Sequence, residues 1–270
     1  MGYAVIMFVA LMIMSVVMIT AVTYGIAKDS QVAPLKAENA YADIKTKQAQ
    51  TGLTIVNTCL NGSGEYTNPD PGVNPGLQNL YLTVLNNGSI VLNSTKATVL
   101  YNASYINFTV TSAGNVWTPL TNASLMVSNI YLDPGLSPGS LGPKLRLLVS
   151  AENGVSAIAP TTPTNFSVIN IANKTDVFYW NSSEDQMGIS QYIIYNFLSN
   201  NAPSQCPWPT PDNIIVVSGN QTNLTAQVPC PQPCNKRYFF MTALDFGGNM
   251  AIQSRYVRCN GQSPGPCQNY

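Results

Sequence analysis

The chain has 270 residues, a formal net charge of zero and only 9% charged residues, so it lacks the basic footprint that a nucleic-acid surface needs. It contains no His, which excludes Ser–His–Asp and Cys–His nucleophiles and two-His metal sites. No G-x-x-x-x-G-K phosphate loop is present, and twelve Asp and Glu leave little scope for paired carboxylates. The expectation is a protein that is not an enzyme and has no cofactor.

The first element is the uncharged apolar run from Tyr3 to Tyr24. As a helix it would be about 31 Å long, against a hydrocarbon core of about 30 Å, with a Tyr at each interface. A secretory signal peptide fits less well, because no Lys or Arg precedes the run and the run is too long. Gly25-Ile26-Ala27 still offers a small-x-small cleavage site as the alternative. Residues 1–27 are therefore read as a transmembrane helix. Residues 28–51, including "LKAENAYADIKTKQAQ", read as a helical stalk with a thin stripe of Leu35, Tyr41 and Ile44. Pro34 is expected to kink this helix or end it near residue 33.

From residue 52 the pattern changes to β-branched and aromatic runs: "LTIVNT", "LQNLYLTVLNNGS", "KATVLYN", "YINFTVTS", "ASLMVSNIYL" and "KLRLLVSAENG". Asn-Gly, Pro-Gly and Asp-Pro separate them, and short strands at this spacing predict a sandwich over 52–157. The loop "NGSGEYTNPDPGVNPG" reads as long and exposed, and "IAPTTPT" at 158–164 as a linker.

Two features predict export. N-x-S/T acceptors begin at Asn61, Asn87, Asn93, Asn102, Asn107, Asn122, Asn165, Asn173, Asn181, Asn220 and Asn223. These eleven exceed what 29 Asn would produce by chance at this Ser/Thr content, which favours an externally glycosylated surface. Five of the six Cys lie in the last 65 residues, as disulfides of an exported domain would. The membrane topology implied is single-pass in the cytoplasmic membrane, with the β domains on the extracellular side.

Residues 1–157 resemble the archaeal flagellar F protein, the membrane-bound stator component of the archaellum. The resemblance is carried by the uncharged helix beginning Met-Gly, the stalk, "LTVLNNGSIVL" as a strand–Asn-Gly–strand unit, "VWTPL" and "RLLVSAENGVS". It implies a static role linking the membrane to the surface-layer protein or to another archaellum subunit, and a homo-oligomer is compatible with it. A pilin-like or archaellin-like filament subunit is the first alternative. A surface adhesin or sugar-binding β protein is the second.

Residues 161–260 are similar to a fibronectin type III module, with the domain itself at 165–260. "TTPTNFSVINI" resembles its first strand and "DVFYWNSSEDQMGISQYIIY" the next two, with Trp180 and Tyr192 at core positions. "NLTAQVPCPQPCNKRYFFMTALDFGGNMAIQS" resembles its last three, with Leu224 as the apolar residue of strand E and Tyr238 as the corner tyrosine. The fold class implied is mainly β: the helix and stalk, then two immunoglobulin-like sandwiches in series and a Cys-containing tail at 261–270. The module's topology would gather Cys206, Cys230, Cys234, Cys259 and Cys267 at the pole away from the linker, in two disulfides of open pairing. Cys59 would stand a domain away. A Cys₄ zinc site is the competing reading, weakened by the three residues between Cys230 and Cys234. At the opposite pole the topology would bring together Glu184, Asp185 and Asp245, with Glu152 near, as candidate Ca²⁺ ligands or as solvated turn acids. No catalytic residue is named.

Overall fold

The computed structural model describes residues 2–61, 78–112, 114–130, 146–171, 175–198, 210–229, 236–254, 256–260 and 264–269. The chain divides into two compact units, Met1–Ala49 and Gln50–Tyr270.

The first unit is formed by helix α1, Gly2–Gln50. Of the two outcomes expected at Pro34, an end to the helix near residue 33 does not occur, and helix continues on both sides of the proline. The proline removes one hydrogen bond from a long helix whose neighbouring residues, Ala33, Leu35, Lys36, Ala37 and Glu38, are mostly strong helix formers. Lys47 and Asp43 form an i,i+4 ion pair at 2.8 Å, but both side chains are exposed, so it adds little. Among the described residues no helix is long and apolar enough to cross a membrane. The transmembrane span expected at 1–27 is therefore not shown by the structure.

The second unit is two β-sandwiches. The first contains β1 (Leu53–Asn61), β2 (Gln78–Asn86), β3 (Leu92–Asn93), β4 (Thr98–Tyr101), β5 (Ser104–Ile106), β6 (Thr109–Val110), β7 (Val116–Trp117), β8 (Asn122–Ile130), β9 (Leu147–Ser150) and β10 (Ser156–Ile158). One sheet has the order β1-β2-β8-β6, the other β10-β9-β4-β5. Period-2 alternation puts Leu80, Leu82 and Val84 of β2 and Leu125 and Val127 of β8 into a core shared with Val99, Leu147 and Val149. The segment "LTVLNNGSIVL" does not fold as a hairpin. β2 pairs with β1 and β8, whereas β3 pairs with β7. Buried Asn86 accounts for the departure. Its amide donates to the carbonyls of Ile90 at 2.9 Å and Trp117 at 3.1 Å, turning the chain away from β2.

The second sandwich contains β11 (Thr164–Ile171), β12 (Thr175–Asn181), β13 (Ile189–Leu198), β14 (Asn213–Ser218), β15 (Asn223–Gln227), β16 (Lys236–Asp245), β17 (Val257–Asn260), β18 (Gly265–Pro266) and β19 (Gln268–Asn269). Its sheets have the orders β15-β12-β11-β18 and β14-β13-β16-β17-β19. Phe166, Val168, Phe178 and Trp180 from the first sheet meet Tyr192, Ile194, Phe239, Met241 and Ala243 from the second. Trp180 and Tyr192 are both buried and pack edge to face at 5.4 Å, and Leu224 lines the same core. Tyr238 is buried too, but in a separate cluster with Phe197 and Phe240. Alternation explains this: with Phe239 and Met241 inward, Tyr238 and Phe240 must lie on the outer face.

The sandwiches are fused, not merely consecutive. Residues 159–163 between them are buried, and Thr161 exchanges hydrogen bonds with Glu184, through its amide to the Glu184 carbonyl at 3.0 Å and through its hydroxyl from the Glu184 amide at 2.7 Å. The segment after β16 lies along β1. The Met250 amide donates to the Ile55 carbonyl at 2.8 Å, and the Thr58 hydroxyl donates to the Ala251 carbonyl at 2.7 Å. Ile252 enters the core of the first sandwich.

Candidate functional site

The acids expected to share a cation do not converge on one. Asp245 is 2% exposed and closes the turn after β16, accepting the Asn249 backbone amide at 2.7 Å and its side-chain amide at 3.0 Å. Gly248 in that turn has φ 82°, a conformation that glycine adopts without strain. Asp185 accepts the Met187 amide at 2.7 Å and faces Arg146 of the first sandwich at 3.5 Å. Glu184 is exposed. Glu152 pairs instead with Lys96 at 3.4 Å. Among the described residues no group of three His, Cys, Asp or Glu is placed to hold a metal ion. Asp185 and Asp245 are hydrogen-bond braces, with turn amides, the Asn249 side chain and Arg146 as their partners.

The opposite pole carries the described tail. β18 adds to β11 in one sheet and β19 to β17 in the other, so residues 264–269 step from sheet to sheet. Cys267, at that step, is disulfide-bonded to Cys259 of β17. This excludes both sulfurs from a zinc site, since a ligating thiolate must be free. Cys206, Cys230 and Cys234 lie outside the described residues. Cys59 does not stand alone as expected: it is disulfide-bonded. Its supposed isolation assumed sandwiches separated by a linker, whereas the neighbouring Thr58 is bonded to Ala251 and, through its carbonyl, to the Gln253 amide.

Beneath the tail is an ion pair that sequence reading missed. Arg237 of β16 and Asp176 of β12 are 1% and 0% exposed and join the two sheets through a two-pronged contact, Nη2 to Oδ1 at 2.9 Å and Nη1 to Oδ2. Burial raises the Asp176 pKa above the ordinary carboxyl value, and the hydrogen bond and charge of Arg237 offset only part of that. Arg237 also lies over the Phe239 ring at 5.4 Å. The one sequence signal was phase: in "KRYFFMTALD" the residues sharing a face with Phe239 and Met241 include Arg237.

The surface shows a partition of asparagines. Asn87, Asn102, Asn107, Asn122, Asn165, Asn181, Asn220 and Asn223 are exposed. Asn93 is half-buried and accepts from the amide and hydroxyl of Thr95 at 3.0 and 2.7 Å. The Asn61 side chain and Asn173 lie outside the described residues. The buried asparagines Asn86, Asn170, Asn196 and Asn249 all fall outside N-x-S/T triplets.

No family model matches the sequence, and no curated protein matches it. Among solved structures, the Clostridium perfringens spore cortex lytic enzyme SleM is similar at 12% identity and TM-score 0.30, over 56% of this chain and 36% of that one. The chain thus spans about a third of that enzyme's length. The archaellum periplasmic stator protein FlaG from Sulfolobus acidocaldarius is similar at 17% identity and TM-score 0.26, over 40% of this chain and 96% of that one. The FN1–FN3 domains of chicken CNTN1 are similar at 11% identity and TM-score 0.31, over 68% and 63%.

Proposed function

We propose that the protein is an extracytoplasmic structural component, tethered to the membrane by the apolar part of α1 and presenting its fused β-sandwiches as a stiff, glycosylated binding body. The observation that carries this reading is the asparagine partition. None of the four buried asparagines among the described residues lies in an acceptor triplet, as expected of triplets retained for modification, which must be reachable. Disulfide bonding of Cys59, Cys259 and Cys267 supports the same compartment, since cytosolic thiols are normally kept reduced.

The tether is supported by exposure on all sides of α1 at residues 14–19. Met14 and the consecutive Val16, Val17, Met18 and Ile19 are 60–70% exposed. At about 100° per residue they point in every direction, so one partner helix cannot cover them, whereas lipid or a helical bundle can. The sequence resemblance to the archaellum F protein then suggests a stator role: contact with a surface-layer protein or another archaellum subunit that holds the motor against torque. The second sandwich is read as a type III module, on its strand order. The unbroken run of α1 to Gln50 favours a filament subunit as the second reading, because pilin-like proteins assemble through such helices.

Membrane fractionation, protease shaving of intact cells and glycopeptide mass spectrometry test the proposal together. It expects a membrane-bound chain, cleavage from outside and glycan on the exposed acceptors. A chain found in the cytoplasmic fraction without glycan ends it. Pull-down against surface-layer protein separates the stator role from an adhesin, and electron microscopy separates both from a filament subunit.

A further inference from the structure

Every sheet in the β unit ends in two edge strands, and edges are where β proteins join other chains. Among the described residues most of these edges are short. β3, β6, β7, β18 and β19 have two residues each, and β5 and β10 have three. The nine-residue edge β1 is already bonded to residues 249–253. β15 begins with the acceptor Asn223, and its exposed side chains Asn223, Thr225 and Gln227 are polar.

β14 differs from all of these. It ends its sheet and no described strand pairs with its outer side. Its sequence, NIIVVS, has no charge, proline or glycine, so it lacks the residues that usually protect an edge. Ile214 and Val216 are 56% and 58% exposed, and they stand beside Tyr195 and Ile193 of β13 on the outer face. No acceptor triplet lies in β13, β14, β16 or β17; the nearest, Asn220, is in the turn beyond.

We propose that β14 is the interface through which two copies of this chain associate, pairing antiparallel about a two-fold axis so that the sheet runs from one copy into the other. A second copy is the occupant this edge suits. An antiparallel pair centred on Ile215 sets Ile214 of one copy against Val216 of the other, a β-branched cross-strand pair made twice by symmetry. The strand carries no charge to repel its own image, and the chain's formal net charge is zero. The proposal goes beyond the tether reading, and only its glycan-free-face argument rests on that reading.

The test is sedimentation of the full-length, unglycosylated chain in detergent, which reports association whatever the cellular location or glycan state. The wild type is expected to form dimers, with the β14 amides gaining protection from hydrogen exchange as concentration rises. Val216→Lys or Ile214→Lys should raise the dimer dissociation constant about tenfold or more, with the melting temperature unchanged at concentrations low enough for the wild type to be monomeric, because both sites are exposed in the single chain. Thr225→Lys on β15 should leave it unchanged. A wild type that stays monomeric to about 100 μM, association unaffected by both β14 variants, or association lost in Thr225→Lys overturns the proposal. If a lysine variant misfolds, concentration-independent exchange of the wild-type β14 amides overturns it equally.

Discussion

Asn249 and Ile55 lie 194 residues apart, yet the Asn249 side-chain oxygen accepts the Ile55 amide at 3.1 Å. The same side chain donates to Asp245 at 3.0 Å, so one buried asparagine ties the turn after β16 to the edge of β1. Both polar ends of Asn249 are used, as a buried amide requires.

Asp245→Ala removes the acceptor for two Asn249 donors and loosens that tie. A loss of about 1–3 kcal/mol is expected, from unsatisfied buried donors. Urea denaturation should show the midpoint fall with the slope unchanged. An unshifted midpoint would mean the turn is held by its backbone alone.

Ile252 lies in the chain segment of the second sandwich but in the core of the first, at 1% exposure. Ile252→Ala should cost about 2–5 kcal/mol through lost burial and the cavity left behind. The loss should appear in probes of both sandwiches, such as exchange of amides in β2 and in β13. Destabilisation confined to the second sandwich would contradict the fused arrangement.

For Asp176 and Arg237 the single and double changes should differ in size. Arg237→Met leaves the Asp176 carboxyl buried without its counter-ion and should cost about 3–5 kcal/mol, whereas Asp176→Leu with Arg237→Met should be near neutral or stabilising. The pH dependence follows from the raised Asp176 pKa. The folded state holds the carboxyl proton more tightly than the unfolded state does. The carboxyl's contribution is therefore full below its unfolded pKa and declines as pH rises through its folded pKa. Thermal melts from pH 3 to 7 should show the stability difference between wild type and Asp176→Asn moving against wild type as pH rises. A difference that does not change with pH would refute the raised value.

A non-reduced peptide map should join Cys259 to Cys267, and Cys59 should resist alkylation until the protein is reduced. With Cys259 and Cys267 bonded to each other, an intrachain partner of Cys59 can come only from Cys206, Cys230 or Cys234. Cys267→Ser should cost about 2–3 kcal/mol, the value expected for a short loop. Labelling of Cys59 in the native, unreduced protein is the contrary result.

Strands were readable where local chemistry is sufficient. Alternation in "LYLTVL" and "SLMVSN" marked β2 and β8, and the likeness to a type III module put Trp180 and Tyr192 at core positions, where both are buried. In the core, the Ser183 amide donates to the Tyr192 hydroxyl at 2.8 Å. Local pattern states which residues extend, not which strand they meet. "LTVLNNGSIVL" carries a hairpin signal, but the contacts of Asn86 with Trp117 send β3 to β7 instead.

The same limit applies to the buried polar residues. In "KRYFFMTALD" phase puts Arg237 on one face with Phe239 and Met241, but both faces are apolar and buried, so alternation cannot reveal which of them points into the core. Only the register of β16 against β13 turns Arg237 inward to Asp176. Likewise nothing near Asp245 shows that its oxygens are spent on Asn249, or that Cys59 lies beside a segment bonded to the second sandwich. Period marked the strands, because it acts over a few residues. Pairing, facing and fusion were decided by contacts between residues far apart in sequence, which exist only once the chain has closed on itself.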